Sequence, residues 1–174
     1  MPSKDTPADG AAAALAVRAY IGIGANLGDA KTTVEAAFGA LETLPGTWVV
    51  ERSSLFRTAP MDAGGDDYVN AVAAIDTTLS AAALLDALQA IENRHGRVRP
   101  YPNAPRTLDL DILLYGQQTV QTPLLTIPHP RLSQRAFALI PLLQIAPMIT
   151  IPGEGPAHGF APAVALQVIQ RIAA

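Results

Sequence analysis

Apolar positions along the chain follow two rhythms, and the breaks between them outline the fold. Ala19-Tyr20-Ile21-Gly22-Ile23 is a short apolar run carrying glycine and predicts a first strand. Residues 29–44 place Val34, Ala37, Phe38, Leu41 and Leu44 at helical spacing, with Pro45-Gly46 as the stop. Trp48 to Ser54 predicts a second strand, and Tyr68 to Thr77 a third. Between them, Thr58 to Asp67 has turn composition throughout and is long enough to be a functional loop. Ser80 suits the N-cap of a helix through Leu84, Leu85, Leu88 and Ile91, closed by Gly96. Residues 97–105 form a second loop, rich in Arg and Pro. Phe137 to Ile145 predicts a short buried helix, and about Ala163 to Ile172 a last one. No repeat or linker interrupts the pattern, so residues 1–17 read as a flexible lead-in and 18–174 as one domain. The short connections between Trp48 and Tyr68 leave little room for a crossover helix. The pattern therefore predicts an α+β sandwich of ferredoxin-like kind with an antiparallel or mixed sheet, in preference to a doubly wound parallel one.

After the second loop comes Pro105-Arg106-Thr107-Leu108-Asp109-Leu110-Asp111-Ile112. As a strand, it puts Asp109 and Asp111 on one face, about 7 Å apart, and Leu108, Leu110 and Ile112 on the other. Asp is disfavoured in strands, so two on one face call for a partner. Carboxylate oxygens suit Mg²⁺, which is commonly held by one or two carboxylates plus substrate phosphates. A solvated edge strand would show the same alternation, so both readings stand on this pattern alone.

Charge distribution bears on the choice. The chain has 174 residues, 49% hydrophobic and 16% charged, within the globular range. No apolar run approaches the roughly 18 to 20 residues of a membrane span, and the N-terminus lacks the basic region of a signal peptide. The absence of cysteine excludes thiolate metal sites, disulfides and cysteine nucleophiles, and a cytoplasmic protein is the natural reading. A net charge of −3 argues against general nucleic-acid binding. Yet six of the 12 Lys and Arg fall within residues 94–135, and all six are Arg: Arg94, Arg97, Arg99, Arg106, Arg131 and Arg135. Asp109 and Asp111 are the acids of that segment, which carries +4. Arginines spread over several elements around one acidic pair suit a polyanion and its metal.

Other motifs have plain alternatives. Gly22-Ile-Gly24-Ala-Asn-Leu-Gly28 is spaced one residue too long for a dinucleotide fingerprint, and Glu42 falls inside a predicted helix. The glycines read instead as allowing close backbone approach at a tight turn. No Walker A sequence is present, so a nucleotide would have to be held by Arg side chains and metal. His129, between Pro128 and Pro130, is structural or a phosphate contact; His95, beside Gly96 at a helix end, reads as structural. Tyr68 and Phe137 are core residues by default, although a flat heteroaromatic ligand could stack between two such rings. Asn70 shares the strand face of Tyr68, and its amide could pair with the edge of such a ligand.

Taken together, the residues resemble the 6-hydroxymethyl-7,8-dihydropterin pyrophosphokinase family of folate biosynthesis. The resemblance runs from about Tyr20 to Ile151 and rests on Tyr20-Ile-Gly-Ile-Gly-Ala-Asn-Leu-Gly28, Phe56-Arg-Thr-Ala-Pro60, Asp67-Tyr-Val-Asn70, Gln89-Ala-Ile-Glu92 and Gly96-Arg-Val-Arg99. It continues through Pro105-Arg-Thr-Leu-Asp-Leu-Asp-Ile-Leu-Leu-Tyr-Gly116, Ile127-Pro-His129 and Arg135-Ala-Phe137. It implies a three-layer αβα sandwich, and transfer of diphosphate from MgATP to the pterin hydroxymethyl group with release of AMP. By resemblance, Asp109 and Asp111 hold two Mg²⁺ ions, Tyr68 and Phe137 sandwich the pterin, and Asn70 bonds its edge. Thr58 and Met61 border that pocket. Gln89, Glu92, Arg97, Arg99, Arg106, Ile112, His129 and Arg135 match positions around ATP, with Arg97 and Arg106 expected to aid the transfer. The partners implied are ATP and the pterin, with no nucleic acid, no membrane and a monomeric protein.

The chain departs from the family in its loops. Pro100-Tyr-Pro-Asn-Ala104 stands where many members carry Arg-Trp-Gly, and Ala59 where a second Pro is usual. Two prolines should stiffen that loop and alter its kinetics while leaving the chemistry unchanged. Two other functions remain open on the residues: a metal-dependent phosphohydrolase using the same Asp pair on water, and a pterin- or nucleotide-binding module without turnover.

Overall fold

The computed structural model describes residues 15–26, 29–58, 67–95 and 108–172. In chain order its elements are β1 (Val17–Ala25), α1 (Ala30–Glu42), β2 (Thr47–Arg52), β3 (Phe56–Thr58), β4 (Tyr68–Thr77), α2 (Ala81–Arg94) and β5 (Asp109–Tyr115). There follow the short strands β6 (Val120–Gln121) and β7 (Thr126–Ile127), helix α3 (Ala136–Ile145), a second short pair, β8 (Thr150–Ile151) and β9 (Gly155–Pro156), and finally β10 (Ile169–Arg171). Among the described residues the main sheet runs β10-β3-β4-β1-β5, with β2 also on β4, and every pairing is antiparallel. The α+β class and the antiparallel sheet are as the pattern predicts.

The sheet buries both faces. Ala19, Ile21 and Ile23 of β1 point into a core with Val34, Phe38 and Leu41 of α1 and Leu84, Leu88 and Ile91 of α2. Tyr20 of β1 and Val72 and Ala74 of β4 point the other way, onto Leu139 and Leu142 of α3. Each fully buried Leu or Ile contributes about 1.5–3 kcal/mol relative to exposure, and Leu84, Leu88 and Ile91 are all 0% exposed. The caps lie where local sequence puts them. Asp29 Oδ1 accepts from Thr32 N at 3.2 Å at the start of α1, and Ser80 Oγ accepts from Ala83 N at 3.1 Å at the start of α2. Gly46, in the turn after α1, has φ +58, and a Cβ there would lie 2.0 Å from Thr78 Oγ1.

Strand β5 alternates as read from sequence. Leu108, Leu110 and Ile112 enter the α1/α2 core, while Asp109 and Asp111 face the other side. The alternation breaks at one point. Ile21 pairs with Ile112 and Tyr20 with Leu114, which leaves Leu113 as a bulge with no partner on β1. Its carbonyl accepts instead from the backbone N–H of His129, at 3.0 Å.

One expectation needs correction. The last helix, about Ala163–Ile172, is not formed: residues Pro162–Val164 make one short 3₁₀ turn, and β10 then pairs antiparallel with β3. Leu166 and Val168, which a helix would have buried, are 98% and 75% exposed. The open edge of β3 offers unpaired backbone groups, and satisfying them overrides the weak helical spacing. Strand β1 begins at Val17, the last residue of the expected lead-in, which pairs with Thr77. Among the described residues, no helix is long and apolar enough to cross a membrane.

Candidate active site

Where α3 begins it leaves one end of the sheet uncovered, and a cavity of about 760 Å³ opens there. Its floor is three strands wide. The register sets Asn70 beside Gly24 and Gly24 beside Asp109 in one row, and Val72 beside Gly22 and Gly22 beside Asp111 in the next. The glycines therefore form a bare backbone strip between the Asn70 side and the carboxylate side. A Cβ on Gly24 would stand 2.9 Å from Asn70 Oδ1, and one on Gly22 would stand 3.3 Å from Leu113 Cδ2. This corrects the tight-turn reading of Gly22 and Gly24: both lie inside β1, and the space they leave belongs to the cavity. Their spacing of two, in register with the Asp-x-Asp spacing, was the available signal; which strand would lie beside β1 was not visible in it.

The Asn70 side is built from β3 and β4. Thr58 pairs with Tyr68 across the strands, and Asn70 Nδ2 donates to Thr58 Oγ1 at 2.8 Å. That bond fixes the amide of Asn70, which is 5% exposed. Tyr68 and Asn70 share the face that opens to the cavity. Opposite them stand Arg135 and Phe137 at the start of α3, where the Arg135 guanidinium lies 5.4 Å from the centroid of the Phe137 ring. A ring with a cation on it is held in a restricted orientation.

His129 joins the carboxylate side. Burial pushes its imidazole below the ordinary value; Asp111 opposes that shift, while Arg135 and Arg131 reinforce it. Its Nδ1 accepts from Arg131 N at 3.2 Å, so the neutral ring carries its proton on Nε2. A second cavity of about 280 Å³ shares Asp111 and His129 with the first and is walled by Ile112, Leu85 and Leu125. An apolar slot opening from the carboxylates suits a flat base whose phosphates reach into the larger cavity.

Most of the described candidates thus come together. Thr58, Tyr68, Asn70, Asp109, Asp111, His129, Arg135 and Phe137 line one cavity, and Ile112 the adjoining one. Glu92 sits elsewhere: it is 5% exposed, and its Oε2 accepts from Leu110 N at 2.9 Å. It holds the strand between the two Asp residues from behind. Gln89 is exposed on α2 and lines neither cavity. Met61, Arg97, Arg99 and Arg106, together with the altered loop at 100–104, lie outside the described residues. The donor set fits Mg²⁺, because the two carboxylates facing one cavity are hard oxygen donors, as this ion prefers.

Comparison with known proteins decides among the functions left open. Residues 20–147 match the family described as 7,8-dihydro-6-hydroxymethylpterin-pyrophosphokinase, HPPK. The chain belongs to this family. It is 46% identical over 136 residues to the 2-amino-4-hydroxy-6-hydroxymethyldihydropteridine pyrophosphokinase of Pseudomonas aeruginosa, covering 78% of this chain and 84% of that one. It is 45% identical over 139 residues to the Haemophilus influenzae protein of the same name, covering 79% and 87%. Among solved structures, an HPPK-DHPS in complex with substrates superposes with a TM-score of 0.70 at 14% identity, over 85% of this chain and 43% of that one. The Plasmodium falciparum HPPK-DHPS A437G gives 0.69 at 13% identity, over 84% and 45%. These two likenesses concern the fold, and the chain spans less than half the length of either. The HPPK-like fold and the family assignment agree with the resemblance read from the motifs.

Proposed function

We infer that this protein transfers the diphosphate of ATP to the hydroxymethyl group of 6-hydroxymethyl-7,8-dihydropterin, releasing AMP, as the pyrophosphokinase of folate biosynthesis. The observation that carries this is a single cavity with two chemistries: Tyr68 and Asn70 on one side, with Phe137 facing them from α3, Asp109 and Asp111 on the other, and a glycine strip between them. A flat heterocycle on the first side presents its substituent across the strip to phosphates on the second.

Tyr68 and Phe137 stack on the pterin, Asn70 bonds its edge, and Thr58 and Met61 border it. Asp109 and Asp111 would hold two Mg²⁺ ions, which would supply charge neutralisation at the phosphate oxygens and help align the in-line displacement. Ile112 packs against the base of ATP in the smaller cavity. His129 Nε2–H and the Arg135 guanidinium are donors for phosphate oxygens, and Arg97, Arg99 and Arg106 complete the surroundings of ATP. Glu92 acts there by fixing the backbone of Leu110. Arg97 and Arg106 stabilise the charge that develops on the transferring group. The substrate hydroxyl oxygen bonds to the β-phosphorus as its proton passes to solvent, the bond from that phosphorus to the α–β bridging oxygen breaks, and AMP leaves. No side chain needs a base role in this scheme, because orientation and electrostatic stabilisation supply the acceleration.

With α1 and α2 on one face of the sheet and α3 on the other, we read the fold as a three-layer αβα sandwich of the ferredoxin-like kind, one domain over residues 18–174. We read the protein as cytoplasmic and monomeric, acting on two small molecules, ATP and the pterin. The test is to mix the protein with MgATP in the presence and absence of the pterin. AMP formed only with pterin is the expected result. Free phosphate or diphosphate formed without pterin would make it a hydrolase, and pterin binding without turnover would make it a binding module.

A further inference from the structure

The C-terminal segment lies beyond the residues that match the family, which end at 147. It reaches both sides of the cavity. Helix α3 begins without a cap of its own, since the side chain of its N-cap residue, Arg135, makes no capping hydrogen bond. The side-chain amide of Gln167 takes that place. Its Oε1 accepts from Ala136 N at 2.9 Å and its Nε2 donates to Gln134 O at 2.8 Å. These two bonds bracket Arg135, and the next residue along is Phe137. Two residues after Gln167, β10 begins its pairing with β3: Ile169 opposite Thr58, Gln170 opposite Arg57 and Arg171 opposite Phe56. Ile172 N adds a bond to Leu55 O at 2.8 Å. Thr58 in turn holds the Asn70 amide. Six consecutive residues, 167 to 172, thus touch the backbone on the Thr58/Asn70 side and on the Arg135/Phe137 side.

We propose that Gln167 is a positioning residue for pterin binding, setting the Phe137 ring against the Tyr68/Asn70 side through the backbone on either side of Arg135. This rests on placing the pterin between Tyr68 and Phe137. The neighbours of Gln167 contribute little burial, as Leu166 and Val168 are 98% and 75% exposed, so polar bonds fix the segment at this point. A stacking ring moved off its place loses the offset or edge contact that aromatic pairs need, and binding of the stacked heterocycle weakens. A simpler role, helix capping alone, would affect stability without changing substrate discrimination.

The experiment compares steady-state constants and melting temperatures of Gln167→Ala, Gln167→Glu, Leu166→Ala and Phe137→Ala. Gln167→Ala is expected to raise the pterin KM on the order of tenfold, with the ATP KM unchanged and kcat within about twofold. Gln167→Glu keeps an acceptor for Ala136 N–H, where negative charge favours a helix N-terminus, and loses the donor to Gln134 O. It should melt no higher than the wild type, since a carboxylate oxygen then faces the Gln134 carbonyl, and still raise the pterin KM. Leu166→Ala should change nothing. An unchanged pterin KM in Gln167→Ala, or in Gln167→Glu, overturns the proposal, whatever the melting temperature does. If Phe137→Ala raises the pterin KM and Gln167→Ala does not, only the positioning role falls. If Phe137→Ala leaves it unchanged, the ring assignment falls and the proposal with it.

Discussion

Asp109 and Asp111 occupy alternate positions of β5 and face the cavity, and that alternation comes directly from the two-residue period of a strand. Replacing Asp111 with Ala is expected to abolish AMP formation while pterin binding, measured by titration calorimetry, is largely kept; retained turnover would remove the metal assignment. Gly24 is the less obvious residue of the site. Since a Cβ there would stand 2.9 Å from Asn70 Oδ1, Gly24→Ala displaces the amide proposed above to bond the pterin edge. The pterin KM should rise about tenfold or more, as loss of one well-placed hydrogen bond costs roughly 1–2 kcal/mol, with little change in melting temperature. An Ala variant with wild-type kinetics would show that Asn70 adapts freely. His129 belongs to this scale too: burial lowers its pKa, and the opposing pull of Asp111 does not cancel that shift.

At the scale of elements, α1 and α2 follow their own sequence, because cap, apolar stripe and stop are all local. Ser80→Ala should destabilise the protein by about 1 kcal/mol by freeing Ala83 N–H, and Leu88→Ala by about 2–5 kcal/mol through the cavity left in the core, both read by denaturant titration. Asp29 gives a pH signature. Its carboxylate is held below the ordinary value, first by the Thr32 hydroxyl and then by the Thr32 backbone N–H. A lowered folded-state value means its contribution is present above the ordinary Asp range and is lost as pH falls through the folded-state value. The gap in melting temperature between wild type and Asp29→Ala at neutral pH should therefore close in acid; a gap constant down to strong acid would contradict the cap. The elements that were misread or unforeseen depend on distant partners. β10 exists because β3 has an open edge, and the β5 bulge is held by His129 N.

Across the whole molecule, one sheet with a core on each face carries the cavity at the end that α3 leaves open. Ligands that bind only this folded arrangement must stabilise it: with each near 100 times its dissociation constant, the gain is about 2.7 kcal/mol per ligand. Addition of Mg²⁺, a non-cleavable ATP analogue and the pterin is expected to raise the melting temperature, and chelating the metal should remove the ATP part of that rise together with turnover. A rise from ATP that survives chelation would separate nucleotide binding from the Asp pair. The sequence by itself determined the local matters: the capped helices, the alternation of β5, the antiparallel class, and the motif set that marks the family. Those properties depend on neighbours within a few residues, or on side-chain types that only this chemistry requires. Only the tertiary structure decided which rows of residues adjoin: that Gly22 and Gly24 lie between Asn70 and the carboxylates, that Glu92 supports Leu110 from behind, and that the tail closes on β3 and α3. Strand neighbours are chosen by pairing of backbone groups far apart in sequence, and backbone groups carry no residue identity to read in advance.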